Sequence, residues 1–212
     1  MTIVTKEQIV RWLELTAEVL NENKDYLTQL DSAIGDADHG TNMDRGFKKV
    51  AEKLPTVADK DIGNILKTVG MTLISSVGGA SGPLYGTFFQ RGGMAADAKE
   101  ELTDEDLLTM LQSAVDGVIA RGRAQPGDKT MVDALLPAMA ALKAGVADGK
   151  GCVGALEDAV AAADQGMKDT IPLQARKGRA SYLGERSIGH QDPGATSSYL
   201  ILNALLTALK AS

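Results

Sequence analysis

The chain has 212 residues, of which 44% are hydrophobic and 24% charged, and its formal net charge at pH 7 is −6. This size and composition favour one globular domain over residues 1–212, and the acidic balance excludes the basic surface that is typical of nucleic-acid-binding proteins. No run approaches the roughly 18 apolar residues of a membrane span, the single cysteine excludes an internal disulfide, and the charged first residues lack the apolar stretch of a signal peptide, so we expect a cytoplasmic protein.

Apolar residues recur at helical spacing in eight segments. The first contains Ile9, Leu13 and Leu20, and Thr5 with Gln8 predicts a capping box at its start. The spacing predicts further helices over about 41–53, 59–75, 83–98, 104–121, 130–147, 152–175 and 194–210. Few windows alternate with the period of two that is typical of strands, and aromatic residues make up only 4% of the chain. The predicted fold class is therefore all-α.

Three connections between the predicted helices are long and rich in glycine and polar residues. They cover about 30–40, 76–82 and 176–193. Such loops often carry function, although each one alone is also consistent with a flexible surface turn. Helices joined by loops at alternate ends would bring several of these loops to one end of a bundle. We therefore expect one site at one end.

Three carboxylates, those of Asp31, Asp36 and Asp38, lie close together in the first of these loops. Asp36 and Asp38 would not share a face of a helix, but a turn permitted by the neighbouring glycines would let all three converge. Carboxylates so close repel one another unless a cation compensates, and an all-oxygen set suits Mg²⁺ or Ca²⁺ better than zinc. The spacing lacks the bidentate Glu of an EF-hand, and Mg²⁺ is favoured if phosphate completes the shell. The alternative is a solvated aspartate-rich turn that caps a helix at Thr41.

The second loop, residues 75–83, has no bulky side chain after Val77. Backbone amides there can come close to a phosphate or a ribose, and Pro83 is well placed as the first residue of a helix whose N-terminus favours an anion. A glycine-rich connector is the alternative. Two other glycine segments are not nucleotide motifs: residues 127–130 lack the spacing of a Walker phosphate loop, and residues 149–154 follow a helix where a dinucleotide fingerprint needs a strand.

The last loop, residues 178–195, is long and charged, and it could close over a ligand. Arg179 and Arg186 supply forked donors suited to phosphate oxygens, unless they form surface ion pairs. Residues 192–194, Asp-Pro-Gly, would start the final helix with a defined turn. His39 and His190 are interpreted as hydrogen-bonding residues, because no Ser/His/Asp set occurs at an interpretable spacing. No catalytic residue is assigned.

Taken together, these segments resemble one family from end to end: the ADP-binding L subunits of bacterial phosphoenolpyruvate-dependent dihydroxyacetone kinases. Four motifs carry the resemblance, in this order. They are Gly-Asp-x-Asp-His-Gly-x-Asn at 35–42, Ser-x-Gly-Gly-Ala-Ser-Gly-Pro at 76–83, Gly-Asp-Lys-Thr-Met at 127–131, and Gly-Arg-Ala-Ser-Tyr-Leu-Gly-x-Arg at 178–186 with Asp-Pro-Gly-Ala at 192–195. Residues 140–175 contain no motif of the set.

The resemblance implies an eight-helix antiparallel barrel with the nucleotide site built from loops at one end. It also implies that Asp31, Asp36 and Asp38 bind two Mg²⁺ ions, which bridge the phosphates of ADP. The residues it implies for ADP contact are His39, Gly40, Thr41, Asn42, Ala80, Ser81, Gly122, Met131, Arg179, Asp192, Pro193 and Gly194. Gly122 lies near the third motif and Met131 within it, and that motif is the weaker one.

In this family bound ADP acts as a coenzyme. The resemblance implies that a phosphohistidine protein, the M subunit of the phosphotransferase system, phosphorylates the ADP. The ATP that forms transiently then passes its phosphoryl group to dihydroxyacetone on a partner K subunit, giving dihydroxyacetone phosphate. Phosphoryl transfer of this kind needs positioning and charge neutralisation more than a protein nucleophile.

Two alternatives remain open from the sequence. The chain could be a subunit that exchanges ATP freely, like the nucleotide domain of ATP-dependent dihydroxyacetone kinases. It could also be a non-catalytic nucleotide sensor that binds a transcription regulator, a role that need not exclude catalysis. Neither nucleic acid nor a membrane is an expected direct partner.

Overall fold

The fold is built almost entirely from helices, as the sequence predicts. A computed structural model describes residues 3–211, which contain nine α-helices. These are α1 (Lys6–Glu22), α2 (Lys24–Ile34), α3 (His39–Lys53), α4 (Ile62–Ser76), α5 (Ser81–Ala95), α6 (Asp104–Gly122), α7 (Val132–Ala147), α8 (Gly151–Asp169) and α9 (Pro193–Lys210). Two short strands, β1 (Val4–Thr5) and β2 (Glu101–Leu102), pair antiparallel, and two 3₁₀ segments cover Leu54–Thr56 and Arg179–Ser187.

Eight of the helices form a closed ring. Each helix contacts the next in the order α1, α3, α4, α5, α6, α7, α8, α9, and α9 returns to α1. The neighbours α4 and α5 run antiparallel, because Gly63 meets Gly93 and Gly70 meets Gly86. An added Cβ at Gly63 or Gly70 would come within 2.7 or 2.6 Å of the facing carbonyl oxygen. The ring has the architecture that the family resemblance implies.

The ninth helix, α2, is the element that the sequence pattern missed. It lies outside the ring, packs on α3 and α9, and occupies part of the stretch predicted as the first loop. Only Leu27 and Ile34 supply buried apolar side chains to its 11 residues, so helical periodicity is weak there. Asn23 separates α2 from α1.

The structure can be compared with the helix boundaries that the sequence predicts. The Thr5 hydroxyl accepts from the Gln8 amide and the Gln8 side chain accepts from the Thr5 amide, which confirms the predicted capping box. Helix α5 begins at Ser81, two residues before the predicted start at Pro83. Helix α8 ends at Asp169 rather than near 175, where the chain leaves for the last loop.

The hydrophobic core lies inside the ring and includes an aromatic cluster. Phe89 contacts Trp12, Phe47 and Phe88, with ring centroids 5.5, 5.9 and 5.2 Å apart. The Trp12 indole donates to the Ile201 carbonyl at 2.9 Å, which ties α1 to α9 across the closure of the ring. No helix within residues 3–211 is long and apolar enough to cross a membrane.

Candidate functional site

One end of the ring holds a cavity of about 430 Å³. Its wall is formed by the starts of α3, α5 and α9, by the connection between α6 and α7, and by the loop that precedes α9. The predicted site residues that line it are Asp31, Asp36, Asp38, His39, Ala80, Ser81, Gly122, Met131, Arg179, Asp192, Pro193 and Gly194. The three loops predicted to share one end therefore do so.

Three predicted contact residues, Gly40, Thr41 and Asn42, lie in the first turn of α3 but do not line the cavity. An added Cβ at Gly40 would come within 2.0 Å of the Lys24 carbonyl, so this glycine lets α2 pack closely on α3. The Asn42 side chain is buried and accepts from Arg45 at 2.6 Å. Thr41 is exposed.

The acidic cluster is organised around the buried carboxylate of Asp31. Its Oδ2 accepts from the backbone amides of Asp38 at 2.8 Å and His39 at 3.1 Å, so a side chain from α2 caps the start of α3. One carboxylate oxygen from each of Asp31, Asp36 and Asp38 lies within 4.8 Å of the others. Three converging hard oxygen donors fit Mg²⁺.

Arg179, on the loop that precedes α9, reaches this cluster. Its Nε lies 3.0 Å from Oδ2 of Asp36. Arg186, the second arginine that the sequence singled out, is exposed and does not line the cavity. Only one of the two forked donors is therefore placed at the site.

Two hydroxyl groups flank the His39 ring, one partly buried and one buried. Its Nδ1 lies 3.2 Å from the Ser81 hydroxyl at the start of α5, and its Nε2 lies 2.8 Å from the Ser197 hydroxyl in α9. Burial lowers the pKa of His39 to about 4, against the opposing effect of Asp31 and Asp38. The imidazole is therefore neutral near pH 7 and links helices rather than supplying charge, consistent with its interpretation as a hydrogen-bonding residue.

Tyr85 extends this network and was not singled out from the sequence. Its hydroxyl lies 2.6 Å from the Ser197 hydroxyl and 3.0 Å from the Ser198 hydroxyl, and it donates to the Gly194 carbonyl at 3.0 Å. Burial raises the pKa of Tyr85 to about 12. The run of small polar residues at 196–198, inside an otherwise apolar helix, is the sequence signal for this network.

Helix N-termini supply much of the cavity's polar character. Helices α3, α5 and α9 all begin at its wall, and each N-terminus is the positive end of a helix dipole. At α3 and α9 some of the first amides already donate to Asp31 and Asp192. Gly79 precedes α5 with a φ of 64°, a left-handed conformation that favours glycine. The Asp192 side chain caps α9 by accepting from the Ala195 amide at 2.7 Å. These termini favour an anion.

The same wall includes apolar side chains. Leu84, Val118, Ala124 and Met131 line the cavity together with the acidic cluster and the helix starts. A cavity that combines hard oxygen donors, anion-binding amides and apolar surface is suited to a nucleotide, which presents phosphates and a flat base.

Lys129 is a cavity residue that sequence reasoning missed. It is 1% exposed, although lysine is almost never fully buried without partners. Its ammonium donates to main-chain carbonyls of the loop that precedes α9. The third motif contains this residue, but nothing in the local pattern distinguishes a buried lysine from a solvated one.

Comparisons with known proteins show the family to which the chain belongs. The family model described as the DAK2 domain matches residues 33–207. The chain is 55% identical over 207 residues to "PEP-dependent dihydroxyacetone kinase, ADP-binding subunit DhaL" of Escherichia coli (strain K12), covering 98% of this chain and 99% of that protein. It is 44% identical over 201 residues to "PEP-dependent dihydroxyacetone kinase 1, ADP-binding subunit DhaL" of Listeria innocua serovar 6a, covering 95% and 96%.

A solved structure shares the fold. The dihydroxyacetone kinase from C. freundii in complex with AMP-PNP and Mg²⁺ matches with a TM-score of 0.71 and 26% identity, covering 94% of this chain and 33% of that one. The chain thus spans about a third of that crystallised protein.

Proposed function

The chain belongs to the DAK2 domain family, and we propose that it is the nucleotide-binding phosphoryl-transfer subunit of a phosphoenolpyruvate-dependent dihydroxyacetone kinase. In this proposal residues 1–212 form one nucleotide-binding domain that works in the cytoplasm and holds ADP as a coenzyme. The observation that carries the proposal is the convergence of three carboxylates, three helix N-termini and Arg179 on one cavity.

Asp31, Asp36 and Asp38 would hold the metal, and we propose two Mg²⁺ ions in the loaded site. Bound Mg²⁺ neutralises charge on the nucleotide phosphates and aligns them for transfer. Asp31 is held in place by the start of α3, whereas Asp36 and Asp38 are exposed and free to adjust around an ion. One fixed and two adjustable carboxylates suit a site that must accept ADP and ATP in turn.

The remaining predicted contact residues would position the nucleotide. Ser81 and the α5 N-terminus face the cavity with donors for phosphate oxygens, and at the start of α9 the Gly194 amide would donate as well. Pro193 has no N–H, so its proposed contact with the nucleotide is through its ring. Arg179 adds a forked donor from the facing loop. The apolar wall near Met131 would take the base. For Gly40, Thr41 and Asn42, which do not line the cavity, the proposed contact is through the first turn of α3.

No side chain of this chain needs to become phosphorylated. His39, the histidine at the cavity, is buried and has both ring nitrogens within hydrogen-bond distance of hydroxyl groups, so we infer that the nucleotide itself accepts and donates the phosphoryl group. Donors held by the folded backbone cost no reorganisation during transfer. The chain therefore needs two protein partners: a phosphohistidine donor, the M subunit, and a K subunit that holds dihydroxyacetone.

The experiment has two stages. Protein purified without added nucleotide is denatured, and the released nucleotide and Mg²⁺ are counted; near-stoichiometric ADP with Mg²⁺ is the expected result. The intact protein is then supplied with phosphohistidine donor, K subunit and dihydroxyacetone, and dihydroxyacetone phosphate is measured. An empty protein that exchanges ATP freely would identify an ATP-dependent subunit. Tight ADP binding without transfer would identify a sensor, to be tested for binding to a transcription regulator.

A further inference from the structure

A buried lysine holds together the two ends of the long loop at the site. We call residues 170–191, between α8 and α9, the strap. Lys129, in the connection before α7, donates from Nζ to the carbonyls of Thr170 at 2.7 Å and Leu173 at 3.1 Å, at the start of the strap. The same nitrogen donates to the His190 carbonyl at the strap's other end. One side chain thus joins both ends of the strap to the base of α7.

Other hydrogen bonds join the same two ends of the strap, residues 170–173 and 189–191, which we call its neck. The Gly189 amide donates to the Ile171 carbonyl at 2.8 Å, and the Asp192 amide donates to the Thr170 hydroxyl at 3.0 Å. The Arg176 amide donates to the Asp128 carbonyl at 3.0 Å, next to Lys129. The strap is therefore a closed loop whose neck is organised around one ammonium group.

The neck is joined to two parts of the nucleotide site. Arg179 lies on the strap and forms an ion pair with Asp36. Directly after the strap, Asp192 caps α9, whose N-terminus lines the cavity. A movement of the neck would displace both the arginine and the helix start.

Lys129 is placed to hold the backbone rather than to bind phosphate. An ammonium group has three N–H donors, and the carbonyls of Thr170, Leu173 and His190 take one each, with the Ile171 carbonyl a further 3.5 Å contact. No carboxylate in residues 3–211 lies within ion-pair distance of it. Its charge lies at the C-terminus of α8, where a cation is favoured.

Burying this charge is costly, which argues for a specific role. Burial lowers the pKa of Lys129, and only Asp192 opposes that effect by its charge. A water molecule could satisfy one or two of these carbonyls, but it would not connect segments so far apart in sequence with one covalently anchored group.

We propose that Lys129 is a positioning residue that fixes the strap and thereby slows the release of bound nucleotide. The predicted effect on nucleotide release rests on the proposed function. The predicted effect of Lys129 on the order of the strap does not depend on the proposed function. Replacing Lys129 with methionine keeps an unbranched side chain as far as the Cε atom and removes the ammonium group with its three donors. The neck, which positions both Arg179 and the start of α9, then loses the hydrogen bonds of Lys129.

The test compares Lys129→Met with wild type and with Lys168→Met. Lys168 is an exposed lysine in the last turn of the same α8, so the control removes an equal charge near the same helix end. Two quantities are measured on the full chain: the ADP dissociation rate in the presence of Mg²⁺, and amide hydrogen exchange along the chain. We expect Lys129→Met to release ADP at least about tenfold faster, which corresponds to about 1.4 kcal/mol, with faster exchange confined to the strap and the first turn of α9.

Unchanged ADP release in Lys129→Met would overturn the proposal, as would exchange that rises equally in all helices or an equal effect of Lys168→Met. If Lys129→Met does not fold, exchange in the wild type decides: the Gly189 and Asp192 amides should exchange as slowly as the interior of α9. Exchange there as fast as at the exposed Tyr182 region would overturn it. If the wild type binds no ADP, the proposed function fails, and the exchange pattern alone tests Lys129.

Discussion

The guanidinium of Arg179 lies 3.0 Å from the carboxylate of Asp36 and so connects the strap to the turn that carries the acidic cluster. The arginine side chain is 69% exposed and the aspartate 34%, so solvent screens the pair and it adds little to the stability of the fold. The ion pair matters because it shows where the arginine lies. A group that approaches the acidic cluster from the strap would meet the phosphates of a nucleotide held there.

Replacing Arg179 with alanine should weaken ADP binding without destabilising the protein. A charge-assisted hydrogen bond to phosphate contributes about 1.5–3 kcal/mol, so we expect roughly 10- to 100-fold weaker ADP binding in Mg²⁺, measured by calorimetry. Arg186→Ala is the matched control, because Arg186 lies nearby in the strap but outside the cavity wall. Equal losses in the two variants would argue for a general charge effect of the strap.

Substitutions of Asp31 and Asp36 should differ in their effects on the stability of the fold. Asp36→Ala and Asp31→Asn should both abolish Mg²⁺-dependent ADP retention and leave the melting temperature unchanged. Asp36 is exposed, and an asparagine at position 31 still offers an oxygen to the α3 amides. Asp31→Ala also removes that cap, at a cost of about 1 kcal/mol, and should lower the melting temperature by roughly 2–4 °C. Retained ADP in Asp36→Ala would remove the metal assignment.

Sequence patterns predicted the ring helices because their buried faces repeat over several turns. They also predicted that three loops share one end, where the structure has the cavity, because the motifs of those loops are local. Helix α2 was missed because it buries only two apolar residues in addition to Asp31. The contacts of Lys129 with the strap and of His39 with Ser197 join residues far apart in the chain. Such contacts follow from closure of the ring, and no periodicity or spacing within one segment encodes them.

Replacing Tyr85 with phenylalanine tests the buried hydroxyl network. The change leaves the Gly194 carbonyl and two serine hydroxyls without this partner, so we expect a loss of about 1–2 kcal/mol in the free energy of unfolding by denaturant. Looser anchoring of the α9 N-terminus should also weaken ADP binding. Tyr182→Phe is the control, since Tyr182 is 88% exposed and should lose neither. Unaltered stability of Tyr85→Phe would show that water replaces the hydroxyl.

The thiol of Cys152 should report on global unfolding. The side chain is fully buried at the start of α8, and burial, with a smaller effect of Asp104, raises its pKa to about 12. We expect no measurable reaction with a disulfide reagent at pH 8 in the native protein and complete reaction in denaturant. Rapid labelling of the folded protein would mean that the start of α8 opens locally.

Gly35 should be needed for the position of Asp31 rather than for the turn alone. A Cβ added at Gly35 would come within 2.0 Å of Oδ1 of Asp31, so Gly35→Ala must displace that carboxylate or the backbone that carries it. We expect loss of Mg²⁺-dependent ADP binding, measured by calorimetry, as for Asp31→Asn. Gly92→Ala is the control: its Cβ would meet no atom closer than 3.5 Å, and an alanine in this helix should be tolerated. Normal ADP binding in Gly35→Ala would mean that metal binding tolerates a displaced Asp31, which would leave Asp36 and Asp38 as the principal ligands.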